Sequence, residues 1–355
     1  MNFGTNASIM PNNKIGYLDY TDLLNILPGH KKRLLDISCL SIDQILKSID
    51  QLNSNFDTVV LANVDPWFHN DTEEQIFDHP KLSNKFVFLQ TQQYDNSYLG
   101  NHKWHISFPA WYINRILPKN NQFKAKPKNL NYGFGSLNNR PALHRLLLGI
   151  ELNNRNLLKN IVFTQNNSHI LSGETAVEYT PGKIDPRFYQ DEAWLNSQPG
   201  FQEYKKLLPI LWQNQPIENR QDVYHYAETD TYCNITTEAA TEHIPYNRSI
   251  NLPEISEKSH KPFISGQIPV YLAAQGHNTY LKDLGYDLFD ELLPANFDNY
   301  NTLSKINSIV NLIEQGKEFI EQIYFDNINR IKHNYKLISE QTTDKIILKR
   351  IQDLL

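Results

Sequence analysis

The chain has 355 residues, 40% of them hydrophobic and 21% charged, and carries a formal net charge of −5. That length allows two domains that each bury a core, and the balance is that of a soluble globular protein. With no surplus of positive charge, a role on the phosphate backbone of DNA or RNA is disfavoured. Two cysteines, Cys39 and Cys233, cannot form a disulfide framework.

The opening MNFGTNASIMPNN has neither a basic n-region nor an apolar core, and no run of about 18 apolar residues follows anywhere. A cytosolic protein is the expectation. Leu34 to Ser38 reads as a short strand. Behind a Ser41 N-cap, Ile42, Ile45, Leu46, Ile49 and Leu52 follow at helical spacing. Thr58 to Val64 and Phe86 to Gln90 are apolar, β-branched or aromatic runs of strand length. Strands of this kind, buried on both faces with helices between them, imply a mainly parallel sheet, whose ligands gather beyond the carboxyl ends of the strands. The residues placed there include Asp65, His69 and Asp95. Each suits a general base, and each equally suits a loop cap. The aromatic run Trp104 to Trp111 reads as a strand edge under a loop, with a sugar-stacking platform as the alternative. Residues 118–128, polar, basic and twice broken by proline, suit a linker, which puts a domain boundary near 127.

A second α/β domain is expected over 128–300. Leu130 to Phe134 reads as a strand, and Pro141 stands where the first turn of a helix tolerates it. Leu143, Leu146, Leu147 and Ile150 line one face of that helix, and Arg140, His144 and Arg145 stand at its amino end. Helix dipole, free N–H groups and guanidinium forks together favour a diphosphate there; solvated caps are the plainer reading. Gly133 and Gly135 lack the third glycine of a dinucleotide fingerprint. Residues 166–221 carry too many prolines and glycines for long elements. Tyr232 to Thr236 reads as a strand running into Thr237 and Glu238.

From Glu254 to Glu291 the sequence reads as an αβα unit. A loop bearing Ser256, Glu257, Lys258 and Lys261 leads into a short helix closed by Gly266. A buried strand follows from Ile268 to Ala274, then a Gly276-His277 turn and a helix from Thr279 to Leu284. Pro262 would kink a helix starting at the charges, so a start at Pro262 is the other option. From Asn301 to the end, apolar residues recur every three or four positions with late Lys and Arg. These C-terminal helices, 301–355, are expected to pack back on the domains; a basic face touching anionic lipid, as a peripheral membrane contact, is the other use.

The run Ser256-Glu257-Lys258, a helix, then Gly266-Gln-Ile-Pro-Val270 resembles the donor-site segment of glycosyltransferase family 10, the α1,3/4-fucosyltransferases, and related GT-B sugar transferases of bacteria and viruses. The resemblance implies a GT-B-like α/β fold: two Rossmann-like domains facing a cleft, 1–127 on the acceptor side and 128–300 on the donor side. It implies transfer of a sugar from a nucleotide-sugar donor, GDP-fucose-like, to a glycan or other hydroxyl acceptor, with inversion. In that family Ser/Thr-Glu-Lys holds the sugar nucleotide and an Arg reaches its phosphates, a role that falls to Arg140 or Arg145 here. A strand ending in Thr-Glu precedes that segment, which brings Glu238 to the donor site; a helix-start glutamate is its ordinary reading. Asp65 and Asp95, ahead of His69, are then the base candidates. No Asp-x-Asp and no His/Cys cluster at zinc spacing occurs, so neither metal nor other cofactor is expected. A UDP- or CMP-sugar transferase, or a non-catalytic nucleotide-sugar or glycan-binding protein, are the alternatives.

Overall fold

The computed structural model describes residues 14–15, 18–19, 32–36, 57–63, 86–90, 105–107, 122–138, 142–165, 192–210, 230–238 and 257–339. The chain divides into two compact units, one of residues 1–117, 252–257 and 340–355, the other of residues 118–251 and 258–339.

In the first unit β1 (Lys14–Ile15) and β2 (Leu18–Asp19) pair antiparallel. Four further strands, β3 (Lys32–Asp36), β4 (Thr58–Asn63), β5 (Phe86–Gln90) and β6 (His105–Ser107), form a parallel sheet in chain order. Their register aligns Leu34 with Val60, Leu61 with Phe88, and Leu89 with Ile106. The expected strand at Leu34 starts two residues earlier, at Lys32. Because this order follows the sequence, no reversal of direction occurs among these four strands.

The second unit is built differently. Its strands β7 (Phe134–Asn138), β8 (Ile161–Gln165), β9 (Cys233–Thr237) and β10 (Ile268–Leu272) are all parallel, in the order β10-β9-β7-β8. Helix α1 (Leu143–Asn154) joins β7 to β8; α2 (Glu192–Ser197) and α3 (Phe201–Leu207) precede β9. Next, α4 (Glu257–Ile264) joins β9 to β10, and α5 (His277–Asp283), α6 (Thr302–Glu314), α7 (Lys317–Asp326) and α8 (Ile328–Ser339) complete the unit. The chain steps outward from β7 to β8, then returns past β7 and proceeds the other way. Right-handed crossovers therefore put α1 and α4 on opposite faces.

Its strands are buried almost throughout, β10 at every residue; β10 reads as a continuous apolar run, whereas β7 and β9 also bury the polar Ser136, Asn138, Thr236 and Thr237. The strand expected at Leu130 to Phe134 begins instead at Phe134. Gly133 lies so close to α7 that a Cβ there would stand 2.6 Å from Ile320 Cγ2, so the preceding residues pack on a helix rather than pair in the sheet. From Gln122 on, the expected linker is docked: Lys126 N donates to Tyr324 Oη at 2.9 Å, Tyr232 Oη donates to Pro127 O at 2.9 Å, and the Phe123 and Tyr335 rings meet edge to face.

Asn301 caps α6 by accepting from Ser304 N at 2.9 Å. The stripe Ile306, Ile309, Val310 and Ile313 is buried, and α6 packs on α1 and β10. Each such side chain contributes about 2 kcal/mol by leaving water. Ile320 and Tyr324 of α7, and Ile331, Tyr335 and Ile338 of α8, are likewise buried. No helix among the described residues is long and apolar enough to cross a membrane.

Candidate functional site

Strands β7 and β9 pair only at their beginnings, Phe134 with Cys233 and Gly135 with Asn234. Beyond those residues their carboxyl ends separate, at the place where, among the described strands of this sheet, the chain reverses its direction of travel. Such a switch point is where open α/β sheets bind ligands. It also leaves the last carbonyls of β9 without a strand partner on the β7 side, and buried carbonyls require donors.

Those donors come from the first turn of α1. His144 Nε2 stands 2.8 Å from Glu238 O, while Arg145 Nη2 donates to Thr237 O at 3.2 Å and to Glu238 O at 3.1 Å. Both side chains are buried. Beside them Thr237 Oγ1 donates to Asn138 Oδ1 at 2.6 Å, and Asn138 Nδ2 donates to Ser136 Oγ at 3.2 Å, so polar side chains bridge the splayed strand ends. Burial first, and the Arg145 charge second, push His144 down to about 3 against the opposing bond to Glu238 O. The imidazole is neutral. A carbonyl only accepts, so Nε2 carries the ring's proton and Nδ1 is a bare acceptor.

The Glu238 side chain points into a second cluster. Its buried carboxylate accepts from Ser259 Oγ, which lies 2.8 Å from His277 Nε2; His277 Nε2 is 3.9 Å from Glu238 Oε1. Tyr271 Oη donates to Ser259 O at 2.6 Å and its ring lies against His277 at 4.7 Å. Lys305, also buried, donates to Ala273 O at 2.9 Å. Burial holds His277 below the usual imidazole value, partly opposed by the Glu238 charge. The hydroxyl sits between acid and imidazole, the wrong order for activating a serine nucleophile, and all three groups are sealed from solvent. The cluster's work is mechanical. Through Glu238 it ties the amino ends of α4 and α5 to the end of β9.

Of the residues singled out from the sequence, His144, Arg145 and Glu238 come together at the switch point. Their roles differ from expectation. Arg145 directs Nη2 at backbone carbonyls instead of presenting an open fork to a diphosphate, and neutral His144 offers no charge to one. Glu238 is buried as the hub of the second cluster. The charges near 258 lie on a helix, not a loop: α4 begins at Glu257 with Pro262 inside it, and Lys258 and Lys261 are half-buried on its first two turns. The second helix starts at His277, two residues earlier than expected. Only the backbone of Glu257 is described, and Asp65, His69, Asp95, Arg140 and Ser256 lie outside the described residues. Ser259, His277, Asn138, Tyr271 and Lys305 carried no motif. Among the described residues no three His, Cys, Asp or Glu side chains gather as a metal site.

Compared with known proteins, the chain matches no family model and gives no significant match to a curated protein.

Proposed function

We propose that this protein is a glycosyltransferase of the GT-B kind, binding a nucleotide-sugar donor at the switch point of its second sheet. The observation that carries the reading is the splaying of β7 from β9, with the amino ends of α1 and α4 converging on Glu238 at the gap. Helix amino ends at the carboxyl edge of a parallel sheet suit the polar groups of a nucleotide. Lys258 and Lys261 are the charges assigned to the diphosphate, and the family resemblance assigns Ser256, Glu257 and Arg140 to the same donor. An acceptor hydroxyl attacks the anomeric carbon, its proton passing to Asp65, Asp95 or His69, as the bond from that carbon to the diphosphate oxygen breaks and the nucleoside diphosphate leaves. GDP-fucose is the favoured donor, with UDP- and CMP-sugars next.

Thermal unfolding against GDP-, UDP- and CMP-sugars and the bare nucleotides, with and without EDTA, tests this reading. A ligand that binds only the native state raises the midpoint by mass action. The expected result is a rise with one sugar nucleotide that survives EDTA and is lost in Lys258→Ala. No rise with any of them overturns the proposal; a rise without sugar transfer to any hydroxyl acceptor leaves a nucleotide-sugar-binding protein instead.

A further inference from the structure

The His144 ring holds two nitrogens in one fully buried place, and they are treated differently. Nε2 is 2.8 Å from Glu238 O, whereas Nδ1, equally buried, has no hydrogen-bond partner among the described residues. A buried acceptor left unmet costs about 1–3 kcal/mol, so such an atom marks a place that something beyond the described residues completes. Its position is not arbitrary. His144 is the second residue of the twelve-residue helix α1, whose N-cap, Ala142, has no side chain able to cap. The amino end of α1 at the switch point thus combines a helix start without a side-chain cap at Ala142 with, on its second residue, a buried acceptor that has no partner among the described residues.

We infer that His144 Nδ1 is a recognition atom that accepts a hydrogen bond from a hydroxyl of the bound ligand, so that a ribose or sugar ring, and not the diphosphate, occupies the amino end of α1. The inference rests on the nucleotide-sugar reading and sharpens it. Phosphate oxygens at neutral pH are acceptors and have nothing to give Nδ1; a sugar hydroxyl donates to Nδ1 and can accept from a helix N–H with the same oxygen. Arg145, with Nη2 on the β9 carbonyls, leaves this position to a neutral ligand group. The diphosphate then falls to the α4 lysines, Lys258 and Lys261.

Long-range 15N–1H spectra of the histidine side chains in the full chain test this directly, with the His144 signals assigned by their loss in His144→Gln. The nucleotide that raises the thermal midpoint, its 2′,3′-dideoxy analogue, its sugar conjugate and inorganic pyrophosphate are added in turn. In the free protein Nε2 is expected protonated and Nδ1 bare. Nucleotide or sugar nucleotide should move Nδ1 toward the hydrogen-bonded range and leave Nε2 in place. Loss of the effect with the dideoxy analogue assigns the hydroxyl to ribose, and an effect of the sugar conjugate alone assigns it to the transferred sugar. In His144→Phe, binding should weaken about tenfold, the worth of one neutral hydrogen bond. A nucleotide that raises the midpoint but leaves Nδ1 unmoved overturns this inference and spares the nucleotide reading. Pyrophosphate reproducing the shift, or an Nδ1 already hydrogen-bonded in the free protein, also overturns it. If no nucleotide raises the midpoint or moves Nδ1, both fall.

Discussion

Buried neutral histidine makes a specific demand on pH. An imidazole in the unfolded chain titrates near 6.5, whereas burial and Arg145 hold His144 down to about 3 in the native state. Above 6.5 both states are neutral and the group contributes no pH dependence. Below 6.5 the unfolded chain takes up a proton that the native chain refuses, so stability falls as the pH drops, and goes on falling to about 3. The loss is about 1.4 kcal/mol per pH unit once the unfolded imidazole is charged, or about 2 kcal/mol between pH 7 and pH 5. His277, also depressed, acts in the same direction. His144→Gln isolates the first contribution, because glutamine can still donate to Glu238 O and does not titrate. Urea unfolding of wild type and variant at pH 7 and pH 5, followed through hydrogen exchange of the β9 and β10 amides, is the measurement. The variant should lose about 2 kcal/mol less than wild type over that interval. Equal losses would mean that His144 protonates freely in the native state, and the assignment of Nδ1 as a bare acceptor would fail with it.

Ser259→Ala removes a hydroxyl donor from the buried Glu238 carboxylate and should cost about 2 kcal/mol in urea unfolding, with α4 losing exchange protection first; a change under about 0.5 kcal/mol would remove Ser259 from the hub. Gly149→Ala, which in an open helix gains up to about 1 kcal/mol, should instead destabilise by about 1–3 kcal/mol, because the new Cβ would stand 2.0 Å from the buried Tyr204 hydroxyl. Tyr204→Phe should be neutral or stabilising, since that hydroxyl has no hydrogen-bond partner among the described residues; a loss above about 1 kcal/mol by calorimetry would refute this.

Local chemistry was legible in the chain itself. The apolar runs at Thr58, Phe86 and Ile268 are strands, because a continuous β-branched or aromatic stretch of that length suits a parallel sheet covered on both faces. Gly266, Gly276 and Gly285 end or begin helices at φ of 61°, 82° and 93°, a conformation that glycine adopts without strain. The α6 stripe follows from its 3.6-residue period. Other features were undetermined because they depend on neighbours far away in sequence. Pro262 reads as a helix break, yet it sits in α4, where packing and the Ser259 contact with Glu238 outweigh one lost backbone bond. His144 and Arg145 fall between the apolar positions of α1 and so read as surface charges at a helix start. They are interior because β9 lies beside β7 and then parts from it, leaving carbonyls that these side chains reach. Periodicity assigns faces to one element at a time. Which strand lies beside β7, where it diverges, and therefore which polar residues become the site, is decided only when the sheet assembles.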